Sequence, residues 1–386
     1  MEAWLRAAAA RRAGHHLQRQ RLRLARPRGA VIEQDGRALL NFSSNDYLGL
    51  AAHPELARSL QAAAGAAVGS GASALVSGYR DAHAELEAQL AEFLQRERVL
   101  VFTSGYLANL AVIASLVGRR DRVIMDRLCH ASLIDAARLS RAGLSRYRHC
   151  DTAHLEERLA AGGGMQTLVV TDGVFSMDGD QAPLAAIADR AHRHSGWLMV
   201  DDAHGIGVMG PGGRGSVAQQ GLGPEQVPVL VGTLGKAFGC AGAFVAGSEA
   251  LIEHLVNEAR TYIFTTAMPP PMAAAASTAL ALARREGWRR ETLRERIAQF
   301  RAGADAAGLP LLPSETPIQP VMVGSSERAV QVAQALQERG LLVVAIRPPT
   351  VPANGARLRV TLSAAHEARH VTRLLDALQE CLPRSR

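Results

Sequence analysis

Apolar and polar positions follow two alternating periods along most of this chain. From about residue 53, short strand-like apolar runs interleave with longer segments whose apolar residues recur every three to four positions. RVLVF (98–102), RVIMD (122–126), TLVVTDG (167–173), WLMVDDAHG (197–205), VPVLVG (227–232) and GAFVAG (242–247) are expected strands that run into loops. GYLANLAVIASLV (105–117), ASLIDAARL (131–139) and APLAAIADRAHRHS (182–195) are expected helices. A further helix ends near Phe93, with Asp81 as its expected N-cap. Such alternation predicts an α/β fold with a mostly parallel sheet flanked by helices on both faces.

The pattern differs at the two ends. Residues 1–24 read as an amphipathic helix, followed by a Pro/Gly break and a hairpin-like VIEQDGRALLNF. Helical segments dominate after residue 250 to about residue 305. The rest reads as a strand (PIQPVMVG), a helix (RAVQVAQALQERG), two strands (LLVVAIR and ARLRVTL) and a helix (HVTRLLDALQECL). The expected organisation is therefore a helix and short strand segment in 1–45, a large α/β domain in 46–290 and a smaller α+β C-terminal domain in 291–386. With 386 residues, 48 % of them apolar, the chain can bury a sizeable core.

Composition narrows the class of protein. No apolar run approaches eighteen residues and the Arg-rich start lacks an apolar signal core, so neither a membrane span nor secretion is expected. Four cysteines without CxxC spacing read as reduced thiols of a cytoplasmic protein. The net charge of +7 does not point to nucleic acid, because the arginines are dispersed among glutamates, as in LRERIAQFRAG, and aromatics make up only 4 %. A basic surface of this kind suits phosphorylated or carboxylated small molecules. Metal binding is not expected either: His15-His16 and His192-x-His194 have no third ligand at zinc-type spacing.

One count changes the picture more than the others. Of 43 basic residues, Lys236 is the only lysine. It supplies a primary amine with an accessible neutral form, which arginine cannot do. It sits among glycines after an apolar run, in VLVGTLGKAFGCAGAF. Ligands of open parallel sheets gather beyond the carboxyl ends of the strands. The expected strand ends bring to that edge Gly105 and Tyr106 at a helix start suited to phosphate, then His130, Ser176, Asp201, His204 and Thr233. Taken singly, Asp201 and Asp202 also suit the cap of a turn, and His130 also suits a core. As a set, these residues match pyridoxal chemistry: a lysine for the cofactor aldehyde, a carboxylate for the ring nitrogen, and an imidazole to stack on the ring.

NFSSNDYLGL, GSGASALVSGY, VFSMDGD, VDDAHG, TLGKAFG and IRPPTVPANGARLRVTLSAAH resemble the α-oxoamine synthases, a family of fold-type-I pyridoxal-phosphate enzymes, over nearly the whole chain. The resemblance implies that Lys236 carries the cofactor and removes the substrate α-proton. It implies that Asp201 pairs with the ring nitrogen, that His204 and Ser176 hold the ring-oxygen side, and that His130 stacks on the ring. Gly105, Tyr106 and Thr233 would hold the phosphate, Tyr106 chiefly through its backbone. Arg359 would bind the amino-acid carboxylate, Asn45 and Thr350 would line the substrate site, and an N-terminal arginine, Arg19 in preference to Arg21, would meet substrate. The best fit within the family is the member that condenses L-alanine with a pimeloyl thioester, carried by coenzyme A or acyl-carrier protein, for biotin synthesis. The alternatives are members of the 5-aminolevulinate synthase, 2-amino-3-ketobutyrate CoA ligase or serine palmitoyltransferase type. The resemblance also implies a homodimer, with GSGASALVSGY at the interface.

Overall fold

The computed structural model describes residues 1–19, 21–162 and 166–382. Three strands open the chain: β1 (Leu24–Arg28), β2 (Val31–Gln34) and β3 (Arg37–Asn41). Then follow β4 (Arg98–Phe102), β5 (Arg122–Asp126), β6 (Gly143–Tyr147), β7 (Thr167–Asp172), β8 (Trp197–Asp201), β9 (Val229–Thr233) and β10 (Ala243–Gly247). The last four are β11 (Ile318–Gly324), β12 (Leu341–Leu342), β13 (Val344–Ile346) and β14 (Ala356–Thr361). The chain divides into a larger compact unit, His53–Phe175 with Gln181–Gly287, and a smaller one, Met1–Ala52 with Ser176–Asp180 and Trp288–Arg386.

The larger unit is built on one seven-stranded sheet in the order β4-β10-β9-β8-β7-β5-β6. Strands β5 to β9 pair in parallel, and β10 runs antiparallel between β4 and β9. Val123, Met125, Leu168, Val170 and Met199 join one core with the helices Gly105–Leu116 and Ala131–Ser140. The alternate residues Ile124, Val169, Leu198 and Val200 are equally buried. Successive strand side chains point to opposite faces, so strands apolar in both parities belong to a sheet covered on both sides. Full burial of each such side chain contributes about 1.5–3 kcal/mol. The sequence pattern did not mark β6. It is an edge strand whose residues, GLSRY, are buried only at Tyr147, so it carries no apolar run.

β4 forms the opposite edge, and its outward backbone needs a partner. Glu87, on the helix Asp81–Leu94, accepts the Val101 N–H at 2.9 Å and the Tyr79 hydroxyl at 2.8 Å. This helix is capped differently from expectation. Asp81 is its first residue, where the macrodipole favours an acid, and Arg80 is the N-cap, its N–H donating to His83 Nδ1 at 3.0 Å.

The smaller unit holds two sheets, β1-β2-β3-β12 and β11-β14-β13. β2 and β3 form the expected hairpin, turning at Asp35 and Gly36, both at positive φ (50° and 80°). The first helix is shorter than 1–24: it spans Glu2–Gly14 and buries only Ala8, so no apolar face carries it further. LLVVAIR was expected as one strand and forms two. β12 pairs in parallel with β3, whereas β13 pairs antiparallel with β14. Ser43 bridges the break, its Oγ donating to Leu342 O (3.2 Å) and accepting Val344 N–H (3.0 Å).

The loop Ser176–Asp180 is fixed within this unit. Asp178 pairs with Arg357, and the Ser314 and Thr316 hydroxyls donate to Gly179 O at 2.8 and 2.9 Å. Gly179 has φ +71°, and a Cβ there would lie 2.3 Å from Ile318 O, so only glycine fits. Among the described residues, no helix is long and apolar enough to cross a membrane.

Burial pushes the Glu87 carboxyl up from its ordinary 4.5 to about 7, against the opposing effects of the Val101 N–H, Tyr79 and Arg98. A raised folded-state pKa means stability that is full below pH 4.5 and lost as pH rises through 7. Glu87→Gln should therefore lose less stability than wild type between pH 4.5 and 7, by about 2–3 kcal/mol. Tm measured across that range checks it; parallel curves for the two proteins contradict it.

Candidate active site

In the larger unit, the chemistry-bearing side chains collect where strands end. β8 ends at Asp201, which lies in register with Asp172 at the end of β7. Asp201 shares a strand face with Met199, which packs in the core that includes helix Gly105–Leu116. Asn109 of that helix donates from Nδ2 to Asp201 Oδ2 at 2.7 Å, and Ala203 N–H donates to Oδ1 at 3.1 Å. Asn109 Nδ2 also donates to Ser132 Oγ at 2.8 Å. Ser132 Oγ is 2.7 Å from His130 Nδ1, and the Ser132 N–H reaches the same nitrogen at 3.3 Å. His130 is thus the N-cap of helix Ala131–Ser140. Its own N–H donates to Asp172 Oδ2 at 3.0 Å.

Lys236 follows β9 on a tight loop. Thr233 Oγ1 donates to Gly242 O (3.0 Å) and accepts Gly235 N–H (3.2 Å), and Gly239 N–H closes onto Lys236 O at 2.9 Å. This half-buried loop sets Lys236 Nζ 2.8 Å from His204 Nε2. The neighbouring acid has a different task. Asp202 accepts Ser216 N–H (2.7 Å) and Ser216 Oγ (2.5 Å), and burial pushes its pKa up to about 7. Cβ atoms on Gly173, Gly205 or Gly215 would lie 2.5, 2.1 and 2.1 Å from its carboxylate oxygens. Asp202 therefore locks a glycine-walled corner, which leaves Asp201 to face the network.

At the start of helix Gly105–Leu116, Ser104 Oγ caps only Leu107 N–H, at 3.3 Å. The Gly105 and Tyr106 N–H groups stay available to an anion, with the helix dipole behind them. The Tyr106 hydroxyl is turned away to Asp135 Oδ2, 2.5 Å distant, so its backbone is the part at the helix end.

Electrostatics separate the charged groups further. Burial first, and then the Asp201 charge, push Asp172 well above the ordinary carboxylate range. The protein packed behind His130 lowers its basicity; Asp201 opposes this and Lys236 adds to it. His130 itself is exposed, as a ring meant to stack on a ligand must be.

The smaller unit holds the other expected residues. Buried Arg359 donates from Nε to Ser176 O at 2.6 Å, and from Nη1 to Asn45 Oδ1 (3.1 Å) and Thr361 Oγ1 (2.9 Å). Tyr47 supports the same Asn45 oxygen at 3.2 Å. Arg19 Nη2 lies 3.5 Å from Thr350 Oγ1, whereas Arg21 is exposed. Arg347 donates to His16 O and to Gln18 O, the latter at 3.3 Å, and so holds the segment that carries Arg19.

Sequence reasoning missed Asn109, Ser132, Asp172, Tyr47, Thr361 and Arg347. Asn109 did carry a signal, as the only polar side chain in the apolar stretch 107–114. Two groups of metal-type ligands also occur among the described residues, Asp126–His149–Cys150 and His53–Glu55–Glu286. Neither includes a residue of the two sets above.

The donor set of the larger unit suits pyridoxal phosphate: an amine, a buried carboxylate held by neutral donors, an exposed imidazole and open N–H groups at a helix start. A seven-stranded, mostly parallel sheet with this lysine site defines a fold-type-I pyridoxal-phosphate enzyme. Residues 37–378 match the family model for aminotransferase class I and II. The structure is similar to a lysine-to-alanine variant of serine palmitoyltransferase from S. paucimobilis with a bound PLP–myriocin aldimine (TM-score 0.93, 30 % identity, 98 % of this chain and 96 % of that one). It is also similar to 8-amino-7-oxononanoate synthase from Francisella tularensis (TM-score 0.78, 30 % identity, 89 % and 97 %). In sequence, it is 58 % identical to the 8-amino-7-oxononanoate synthase of Stutzerimonas stutzeri over 374 residues, covering 97 % of this chain and 95 % of that protein. The chain belongs to the 8-amino-7-oxononanoate synthase family, within the α-oxoamine synthases.

Proposed function

We propose that this enzyme condenses L-alanine with a pimeloyl thioester, with loss of carbon dioxide, to give 8-amino-7-oxononanoate and a free thiol for biotin synthesis. The observation that carries this reading is identity above one half with synthases of that product over nearly the full chain.

Bound pyridoxal phosphate supplies an aldehyde that condenses with amines and a ring that draws electrons from the attached carbon. The residues do the rest. Lys236 would hold the cofactor through Nζ and, once alanine is bound, would serve as the base for its α-proton. His204, 2.8 Å from Nζ, orients the amine. Asp201 would keep the ring nitrogen protonated, since a buried carboxylate favours a cationic neighbour. His130 would stack on the ring, Ser176 and His204 would hold its oxygen, and Gly105, Tyr106 and Thr233 would hold the phosphate. Arg359, held at Nε and Nη1 by Ser176, Asn45 and Thr361, offers its guanidinium to the alanine carboxylate. Asn45 and Thr350 line the substrate, and Arg19, tethered to Thr350, meets it. The reading goes with a cytoplasmic enzyme, in keeping with four cysteines none of which forms a disulfide.

A homodimer belongs to the same reading. Val68, Leu75, Val76 and Tyr79 are 73, 49, 78 and 45 % exposed within one short stretch of the larger unit, apolar surface of the kind a second subunit would cover. Sedimentation velocity should give a mass near twice 41.0 kDa, reduced by Val76→Asp. A fully active monomer contradicts the dimer.

Purified protein assayed with alanine, glycine and serine against pimeloyl, succinyl and palmitoyl thioesters should turn over alanine with the pimeloyl donor. Parallel rates with pimeloyl-CoA and pimeloyl acyl-carrier protein identify the carrier. Turnover of glycine or serine in place of alanine contradicts the proposed reaction.

A further inference from the structure

We propose that Asn109 is a positioning residue that fixes two cofactor-facing groups at once: the Asp201 carboxylate, and the His130 ring in its neutral Nε2–H form. This rests on the cofactor reading above and adds to it a residue that touches neither cofactor nor substrate.

Asn109 is 1 % exposed and lies among Ala108, Ala111, Val112 and Ile113 of one core helix. An apolar residue would serve that core as well, and a buried amide costs free energy unless its hydrogen bonds repay it. The bonds it makes are directional. Its two amide protons go to Asp201 Oδ2 at 2.7 Å and Ser132 Oγ at 2.8 Å. Turning the amide over would place Oδ1 against a carboxylate oxygen, so Asp201 itself settles which end points where.

Proton bookkeeping then runs in one direction. Ser132 Oγ accepts from Asn109, which leaves its single proton free to be given to His130 Nδ1, 2.7 Å away. The Ser132 N–H points at the same nitrogen, at 3.3 Å. With two donors aimed at it, Nδ1 is an acceptor, and the ring proton of neutral His130 sits on Nε2. The lowered basicity of His130 keeps the ring in that neutral form.

The remaining atom of Asn109 separates this role from a merely structural one. Oδ1 is buried and has no hydrogen-bond partner among the described residues. An amide present only to bind the fold together would have both ends satisfied. Here one end is left unpaired so that the other can serve Asp201 and Ser132.

The test uses the full chain and the variants Asn109→Ala and Ser132→Ala. Long-range proton–nitrogen NMR of the [15N]histidine-labelled protein without cofactor, with His130 assigned by its loss in His130→Gln, reads the tautomer. Wild type should show a proton-free Nδ1 and a protonated Nε2, and both variants should lose that fixed pattern. In holoenzyme, Asn109→Ala should weaken cofactor binding about tenfold to a hundredfold, as loss of a hydrogen bond to a charged group does. It should lower kcat about tenfold while KM for alanine stays within about threefold. A protonated Nδ1 in wild type, or Asn109→Ala with unchanged cofactor affinity and unchanged His130 signals, overturns the proposal. If Asn109→Ala does not fold, an unchanged tautomer in Ser132→Ala overturns it instead. A wild type that binds no pyridoxal phosphate refutes the cofactor reading, a result distinct from any of these.

Discussion

A carboxylate buried at the end of a parallel strand loses its water and must be compensated by the protein around it. Asp201 meets this requirement in the crowded company of Asp172, in register on the next strand, and Asp202, next in sequence. Three acids crowd one dry place, and the structure gives each a different environment. Asp202 is tied to Ser216 inside a wall of glycines, and Asp172 is pushed well above the usual carboxylate range. Asp201 is held by an amide and a backbone N–H, both neutral donors, which leaves its charge for a cation. The arrangement around Lys236, His204 and His130 has its purpose only if that charge is in place.

The smaller unit solves the complementary problem. A guanidinium that is to hold a small carboxylate must be kept rigid, because arginine has much rotamer freedom to lose. Arg359 is fixed at Nε by the Ser176 carbonyl and at Nη1 by Asn45 and Thr361. The Ser176–Asp180 loop is in turn fixed by Arg357, Ser314 and Thr316, and by a glycine that no other residue replaces at Gly179. The motifs VFSMDGD and ARLRVTL are thus two halves of one support.

Much of this was legible in the sequence, for identifiable reasons. Strands buried on both faces carry long apolar runs, so β4, β5, β7, β8, β9 and β10 announced themselves, and the residues just beyond them gave Asp201, His204, Thr233 and Lys236. The lone lysine stood out because arginine fills every other basic position. What was hidden depends on partners distant in sequence. β6 is a polar edge strand, and the break between β12 and β13 exists because one segment serves two sheets and Ser43 bridges them. Asn109 looks like an ordinary helix residue until Asp201 arrives 92 positions away, and Ser132 until Asn109 reaches it from 23 positions away.

Because the chain has one lysine, the central claim has an unusually clean test. Borohydride reduction of the holoenzyme, followed by proteolysis and mass spectrometry, should place the cofactor-derived mass on the peptide containing Lys236. The same treatment of Lys236→Ala should leave that peptide unmodified. Modification at the Met1 amino group instead, or no covalent adduct in wild type, would contradict the account.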